Sequence, residues 1–269
     1  MSGICKDFSE SAAYVEKWLK SQQGVKEESL TDWLLYDIDV RRPDVIYKAF
    51  TRQEEARDTG ADWEWWLIFP DGAVRLRVQA KKLKAANDNY PGLAHTNKYG
   101  LQIDKLIADA SKVNAFPIYA FYSAKSPSSK CSFGGVVSCG VHLAGAKVVE
   151  QTLLSKKCHV SEADAIALSV PLPCLVCCPL THGVASKSGF TEFLRRYFVS
   201  DQGDEPESYM PGHYDTLPPF ISSLLGQDGD IPDWWESEFQ GEIAGIKAIV
   251  VTDLRANNSF KPMPLRGTA

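Results

Sequence analysis

The chain has no excess of positive charge: 29 Lys and Arg stand against 34 Asp and Glu, a formal net charge of −5 over 269 residues. That balance excludes a protein that coats nucleic acid non-specifically, because such binders need a broad basic surface to displace phosphate counter-ions. An acidic chain can still carry a local basic rim, and Arg75, Arg77, Lys81, Lys82 and Lys84 form one candidate stripe. No apolar run approaches the roughly 18 residues of a membrane span. The start, MSGICKDFSESAAYVEKW, lacks the basic-then-apolar order of a secretory signal. A cytoplasmic protein is expected. The cysteines number seven, at 5, 131, 139, 158, 174, 177 and 178. That odd count, in a chain too large to need staples, predicts reduced thiols rather than a disulfide framework.

Several chemistries are missing as well. There is no Gly-rich phosphate loop, no Gly-x-Ser-x-Gly elbow and no His-Glu-x-x-His helix, which removes nucleotide-driven motors, α/β-hydrolases and the common metalloproteases. Cys174 and Cys177 have CxxC spacing, but no second pair follows and His182 is the only nearby imidazole. A zinc site needs four ligands, so buried thiols in a strand are expected there. No internal repeat is present.

What is there reads as an ordinary globular chain, 44% hydrophobic and 23% charged. Residues 8–22 and 27–38 have helical apolar spacing. VIYKAFT at 45–51 and DWEWWLIF at 62–69 are β-branched or aromatic and predict strands. The turn Pro70-Asp71-Gly72 then leads into AVRLRVQAKKL at 73–83, whose alternation predicts the second arm of a hairpin. A loop at 85–100, an amphipathic helix at 101–113 and the strand PIYAFYS at 117–123 complete a helix, strand, strand, strand, helix, strand order. That order predicts an α/β fold with a mixed sheet flanked by helices, its last strand reached by a helical crossover. Further on, the pattern weakens, with a helix expected at 190–198, an acidic Pro/Gly-rich loop at 200–219 and a strand at 243–254.

Period 2 puts Asp62 and Glu64 on one strand face, opposite Trp63 and Trp65, and puts Gln79 and Lys81 on one face of the next strand. Across the hairpin, oxygen ligands and an ammonium then converge at one sheet edge. Phosphodiester hydrolysis needs such a set, because a hard cation with oxygen ligands polarises the phosphoryl group and acidifies a bound water. Asp62 is the main candidate ligand for Mg²⁺ or Mn²⁺, helped by the Ala80 carbonyl, the Gln79 side chain and a helix carboxylate, for which Glu28 is chosen. Lys81 would orient the water or neutralise charge in the transition state. Against this, alternating polar residues are usually a solvated face. The tryptophan pairs 65–66 and 234–235 are expected to pack inside rather than stack on bases, and His95 and Tyr90 carry little weight as loop residues.

Asp62, then Gln79-Ala80-Lys81 on the following strand, then a helix with Gln102 and the strand PIYAFY together resemble the PD-(D/E)xK nuclease superfamily. The QAK element is similar to that of Mrr-like restriction endonucleases, in which Gln replaces the usual acid. EESLTDWLL, EEARDTGADWEWW, RVQAKKL and PIYAFYS also resemble an uncharacterised bacterial family assigned to the superfamily. The resemblance covers residues 27–123. It implies a restriction-endonuclease-like core over 1–125 with an α/β extension, 126–269, packed on it. It further implies a metal-dependent DNA endonuclease of a bacterial restriction or phage-defence type, acting as a possible homodimer. Residue by residue, it carries a helix acid to Glu28, the strand acid to Asp62 and the QxK pair to Gln79 and Lys81. It places Gln102, Lys82 and Lys84 on the substrate side, with Glu54, Glu55 and Glu64 second. Two departures stand out: no Pro precedes Asp62, and Gln79 is neutral, so weaker metal binding or a second acid is implied. The alternatives are an inactive nuclease-fold module that binds nucleic acid or a protein partner, and a protein-interaction component of a defence system.

Overall fold

A computed structural model describes residues 3–50, 60–84, 88–94, 96–97, 100–124, 129–130, 136–137, 139–156, 159–181, 186–199, 211–226 and 232–257. Two antiparallel helices come first, α1 (Gly3–Ser21) and α2 (Glu27–Arg41), followed by β1 (Val45–Ala49), β2 (Trp63–Phe69) and β3 (Gly72–Lys82). Then come α3 (Gln102–Lys112), β4 (Phe116–Tyr122), β5 (Val141–Gly145), α4 (Ala146–Ser155), α5 (Glu162–Ala167) and β6 (Val170–Pro171). The chain continues through α6 (Cys174–Thr181), α7 (Lys187–Phe198), β7 (His213–Tyr214), α8 (Pro219–Leu225), α9 (Asp233–Glu238) and β8 (Ala248–Asp253).

The strands form one mixed sheet in the order β1-β8-β2-β3-β4-β5-β6, with β7 added beside the start of β3. Only β8 with β2 and β3 with β4 run parallel among these pairs. The β3-α3-β4 unit is the helical crossover expected from the sequence. The protein is therefore α/β, with a central mixed sheet between helical layers. Every residue of β2 is buried because both sheet faces are covered. Trp63, Trp65, Leu67 and Phe69 point to the layer that holds α1, α2, α6 and α7, while Trp66 and Ile68 point to the layer of α3, α4 and α8. Each such side chain contributes roughly 1.5–3 kcal/mol by leaving water.

Three sequence expectations bear on the fold. First, the strand expected at 243–254 is β8, and it sits between β1 and β2, antiparallel to one and parallel to the other. Second, the Cys174–Thr181 run forms a helix, not a strand. Its first turn, Cys174 to Cys177, is buried, and a short apolar run suits a buried helix as well as a strand. Third, Cys5 of α1 and Cys177 of α6 are joined in a disulfide, whereas reduced thiols were expected throughout. Cys139 and Cys174 are buried. Trp65, Trp66 and Trp235 are fully buried as anticipated, while Trp234 is half exposed. Among the described residues, no helix is long and apolar enough to cross a membrane.

Candidate active site

The β2–β3 hairpin pairs Trp63 with Val78, and one further backbone bond, Asp62 N–H to Val78 O at 2.8 Å, ends the ladder. Beyond that point β3 has outrun β2. Its residues two apart, Ala80 and Lys82, turn their backbone groups toward the vacated side. Carboxylates take up both amides: Ala80 N–H donates to Asp62 Oδ2 at 2.9 Å, and Lys82 N–H donates to Glu27 Oε2 at 2.5 Å. The Ala80 carbonyl lies on the edge between those two amides and accepts the Gln79 Nε2 at 3.0 Å. Two carboxylates and a backbone carbonyl thus share one short stretch of strand edge.

Gln79 is 2% exposed and bridges the site to α3. Its Nε2 donates to Asp62 Oδ2, while its Oε1 accepts from Gln102 Nε2 at 2.7 Å. A carboxylate can only accept, so the chain of bonds sets the amide orientation. Gln102 therefore holds Gln79, and Gln79 holds Asp62, so Gln102, expected on the substrate side, lies one hydrogen bond behind Gln79. Gly60 makes the approach possible. Its φ is +73°, and a Cβ there would stand 2.8 Å from the Gln102 carbonyl oxygen and 2.9 Å from the Leu106 nitrogen.

Lys81 shares the face of Gln79, as period 2 requires, and is 7% exposed. Its stem runs beneath the turn Pro91–Ala94, where a Cβ on Gly92 would lie 3.1 Å from Lys81 Cδ. The helix acid that feels the Lys81 ammonium is Glu27, the neighbour of the Glu28 expected from the sequence. Burial pushes the Glu27 carboxyl up to about 7; the Lys81 ammonium opposes that shift and the Asp62 carboxylate adds to it. Glu28 is exposed and lines the same cleft, with Glu27, Thr31, Asp32, Asp62, Trp63, Lys247 and Ala248.

Other expected site residues go elsewhere. Glu64 is on the face of Asp62, but it is fully buried and paired with Arg75 Nη2 at 2.7 Å and Arg77 Nε at 3.1 Å. Trp66 Nε1 donates to its other oxygen at 2.5 Å. The basic stripe is corrected by the same facts: Arg75 and Arg77 are buried charge partners, not a rim. Lys82 Nζ donates to the carbonyls of Gln23 and Val25 in the α1–α2 connection, which ties that loop down instead of facing a ligand. Lys84 is exposed, its backbone bridged to Asn89. Glu54, Glu55, His95 and His182 lie outside the described residues.

Sequence reasoning missed Lys247. It immediately precedes β8, its N–H donates to Asp62 O at 2.9 Å, and its Nζ meets Asp62 Oδ1 at 2.8 Å. Burial pushes the ammonium down, but Asp62 more than offsets it, so the Lys247 pKa is raised. No local signal marks this residue, since its role depends on where β8 enters the sheet.

Among the described residues, no three acidic, His or Cys side chains already surround one point. The donor set is instead Asp62, Glu27 and the Ala80 carbonyl. That set fits Mg²⁺, which is bound through one or two carboxylates and keeps several waters. Residues 4–256 match the family described as "Family of unknown function (DUF6615)". No curated protein matches the chain.

Proposed function

We propose that this chain, which belongs to the DUF6615 family of unknown function, is a metal-dependent nuclease hydrolysing phosphodiester bonds, with DNA as its substrate. The observation that carries the reading is the edge of β3, where Asp62 and Glu27 take successive backbone amides on either side of the Ala80 carbonyl. Asp62, Glu27 and Ala80 O would hold Mg²⁺ or Mn²⁺, with Glu28 within reach of the same cleft. When bound, the metal supplies a Lewis acid and an acidified water.

The protein's own residues do the rest. Gln102 and Gln79 hold the Asp62 carboxylate so that it need not reorganise during the reaction. Lys81, confined beneath Pro91–Ala94, carries a fixed positive charge beside Glu27 and would steady the attacking water or the charge that builds on the phosphoryl oxygens. Among the described residues, the cleft is lined by four acidic side chains, Glu27, Glu28, Asp32 and Asp62, and one lysine, Lys247. Such a lining repels a bare polyanion and favours one that arrives with a divalent cation, which supports a nuclease over a metal-free nucleic-acid-binding module. A role in bacterial restriction or phage defence, and a homodimer that cuts both strands, belong to the same proposal.

The test is cleavage of plasmid and single-stranded DNA by the wild type and Lys81→Ala in Mg²⁺, Mn²⁺ and EDTA. Cutting is expected with metal only, falling by roughly 10²–10³-fold in the variant. An unchanged rate in Lys81→Ala would overturn the mechanism.

A further inference from the structure

Lys81 is nearly buried and lies beneath the Pro91–Ala94 turn, so a ligand entering the open cleft does not meet it first. Among the described residues, the cation in the cleft lining is Lys247, with 42% of its side chain exposed. Its backbone is held on both sides: its N–H donates to Asp62 O, and its carbonyl accepts from Phe50 N–H at 2.8 Å. Asp62 Oδ2 is already taken by Gln79 and Ala80, which leaves Oδ1 as the oxygen that faces the cleft, and Lys247 Nζ occupies it.

Resting on the nuclease reading, we infer that Lys247 is a further catalytic residue. Its ammonium is the counter-ion of Asp62 Oδ1 in the metal-free protein and the contact for the substrate phosphate once a divalent cation takes that oxygen. The chemistry requires no new group. A lysine side chain has four rotatable carbons, so the ammonium can leave a carboxylate and reach a phosphate oxygen while its backbone stays in place. Two cations cannot share one carboxylate oxygen without repulsion, so metal binding drives that exchange.

The test compares wild type, Lys247→Met and Lys247→Arg in three measurements. Calorimetry with Mn²⁺ alone is expected to show several-fold tighter binding in Lys247→Met, because the competing ammonium is gone. Affinity for duplex DNA in non-cleaving Ca²⁺ buffer, measured across salt, is expected to drop in Lys247→Met with a slope smaller by about one, and to be restored by Lys247→Arg. Cleavage should fall at least about 10²-fold in Lys247→Met. DNA affinity, salt slope and cleavage all equal to wild type would overturn the inference while leaving the nuclease reading intact. Loss of Mn²⁺ binding in Lys247→Met would overturn it too, since Lys247 would then be a mere support for Asp62. A wild type that neither cuts DNA nor binds Mn²⁺ overturns the nuclease reading itself.

Discussion

Glu27 is the residue whose protonation should be visible in the whole protein. Burial raises its pKa from 4.5 to about 7, so between those values the folded state binds more protons than the unfolded one. The contribution of Glu27 to stability is then fully present below about pH 4.5 and is lost as pH rises through about 7. In EDTA, Glu27→Gln should remove that slope and leave the protein more stable than wild type at pH 8 by on the order of 2 kcal/mol, read from denaturant unfolding. A wild-type curve that is flat between pH 5 and 8 would contradict it. Glu64 is fully buried between Arg75 and Arg77, so Glu64→Gln removes the charge that both guanidinium groups share and leaves Arg77 to Asp109 and Arg75 to the Val113 carbonyl and the Tyr214 hydroxyl. We expect a loss of about 3–5 kcal/mol in stability, and a shift under 1 kcal/mol would show that the cluster is not electrostatically coupled. The sequence could put Asp62 and Glu64 on one face, but it could not say that one ends the strand at a cleft and the other lies inside a charge cluster.

At the scale of elements, the site depends on how closely α3 approaches the start of β2. Gly60 is the joint, with a positive φ and no room for a Cβ against Gln102 and Leu106. Gly60→Ala should therefore cost about 2 kcal/mol or more and weaken the Gln102–Gln79–Asp62 chain. Thermal unfolding and Mn²⁺ calorimetry should fall together. A Tm equal to wild type would refute the packing argument. The period-2 reading of β2 and β3 held because a strand's alternation is a local geometric property. The sequence alone could not rank Glu27 against Glu28, because adjacent helix residues differ by only about 100° around the axis, and both flank one cleft. The exact one is decided by a contact with Lys82 N–H, which lies 55 residues away.

For the whole molecule, β8 is the decisive element. It separates β1 from β2 and bonds to both, so a chain cut after residue 242 loses a central strand and exposes two unpaired edges. That truncation, and equally residues 1–125 alone, should be unfolded or aggregated by circular dichroism and size-exclusion chromatography. A monomeric, cooperatively melting fragment would show that β1 and β2 can close on each other.

The sequence by itself determined the α/β class, the hairpin, the crossover helix and the common face of Asp62, Gln79 and Lys81, since each follows from local periodicity and turn chemistry. Only the tertiary structure decided that Arg75 and Arg77 are internal, that Glu27 supplies the carboxylate at Lys82, and that Lys247, 185 residues from Asp62, completes the cleft. Local pattern sets which way a side chain points from its own element. Which elements become neighbours is set by burying the whole chain's apolar surface at once, and a residue's chemical partners follow from that.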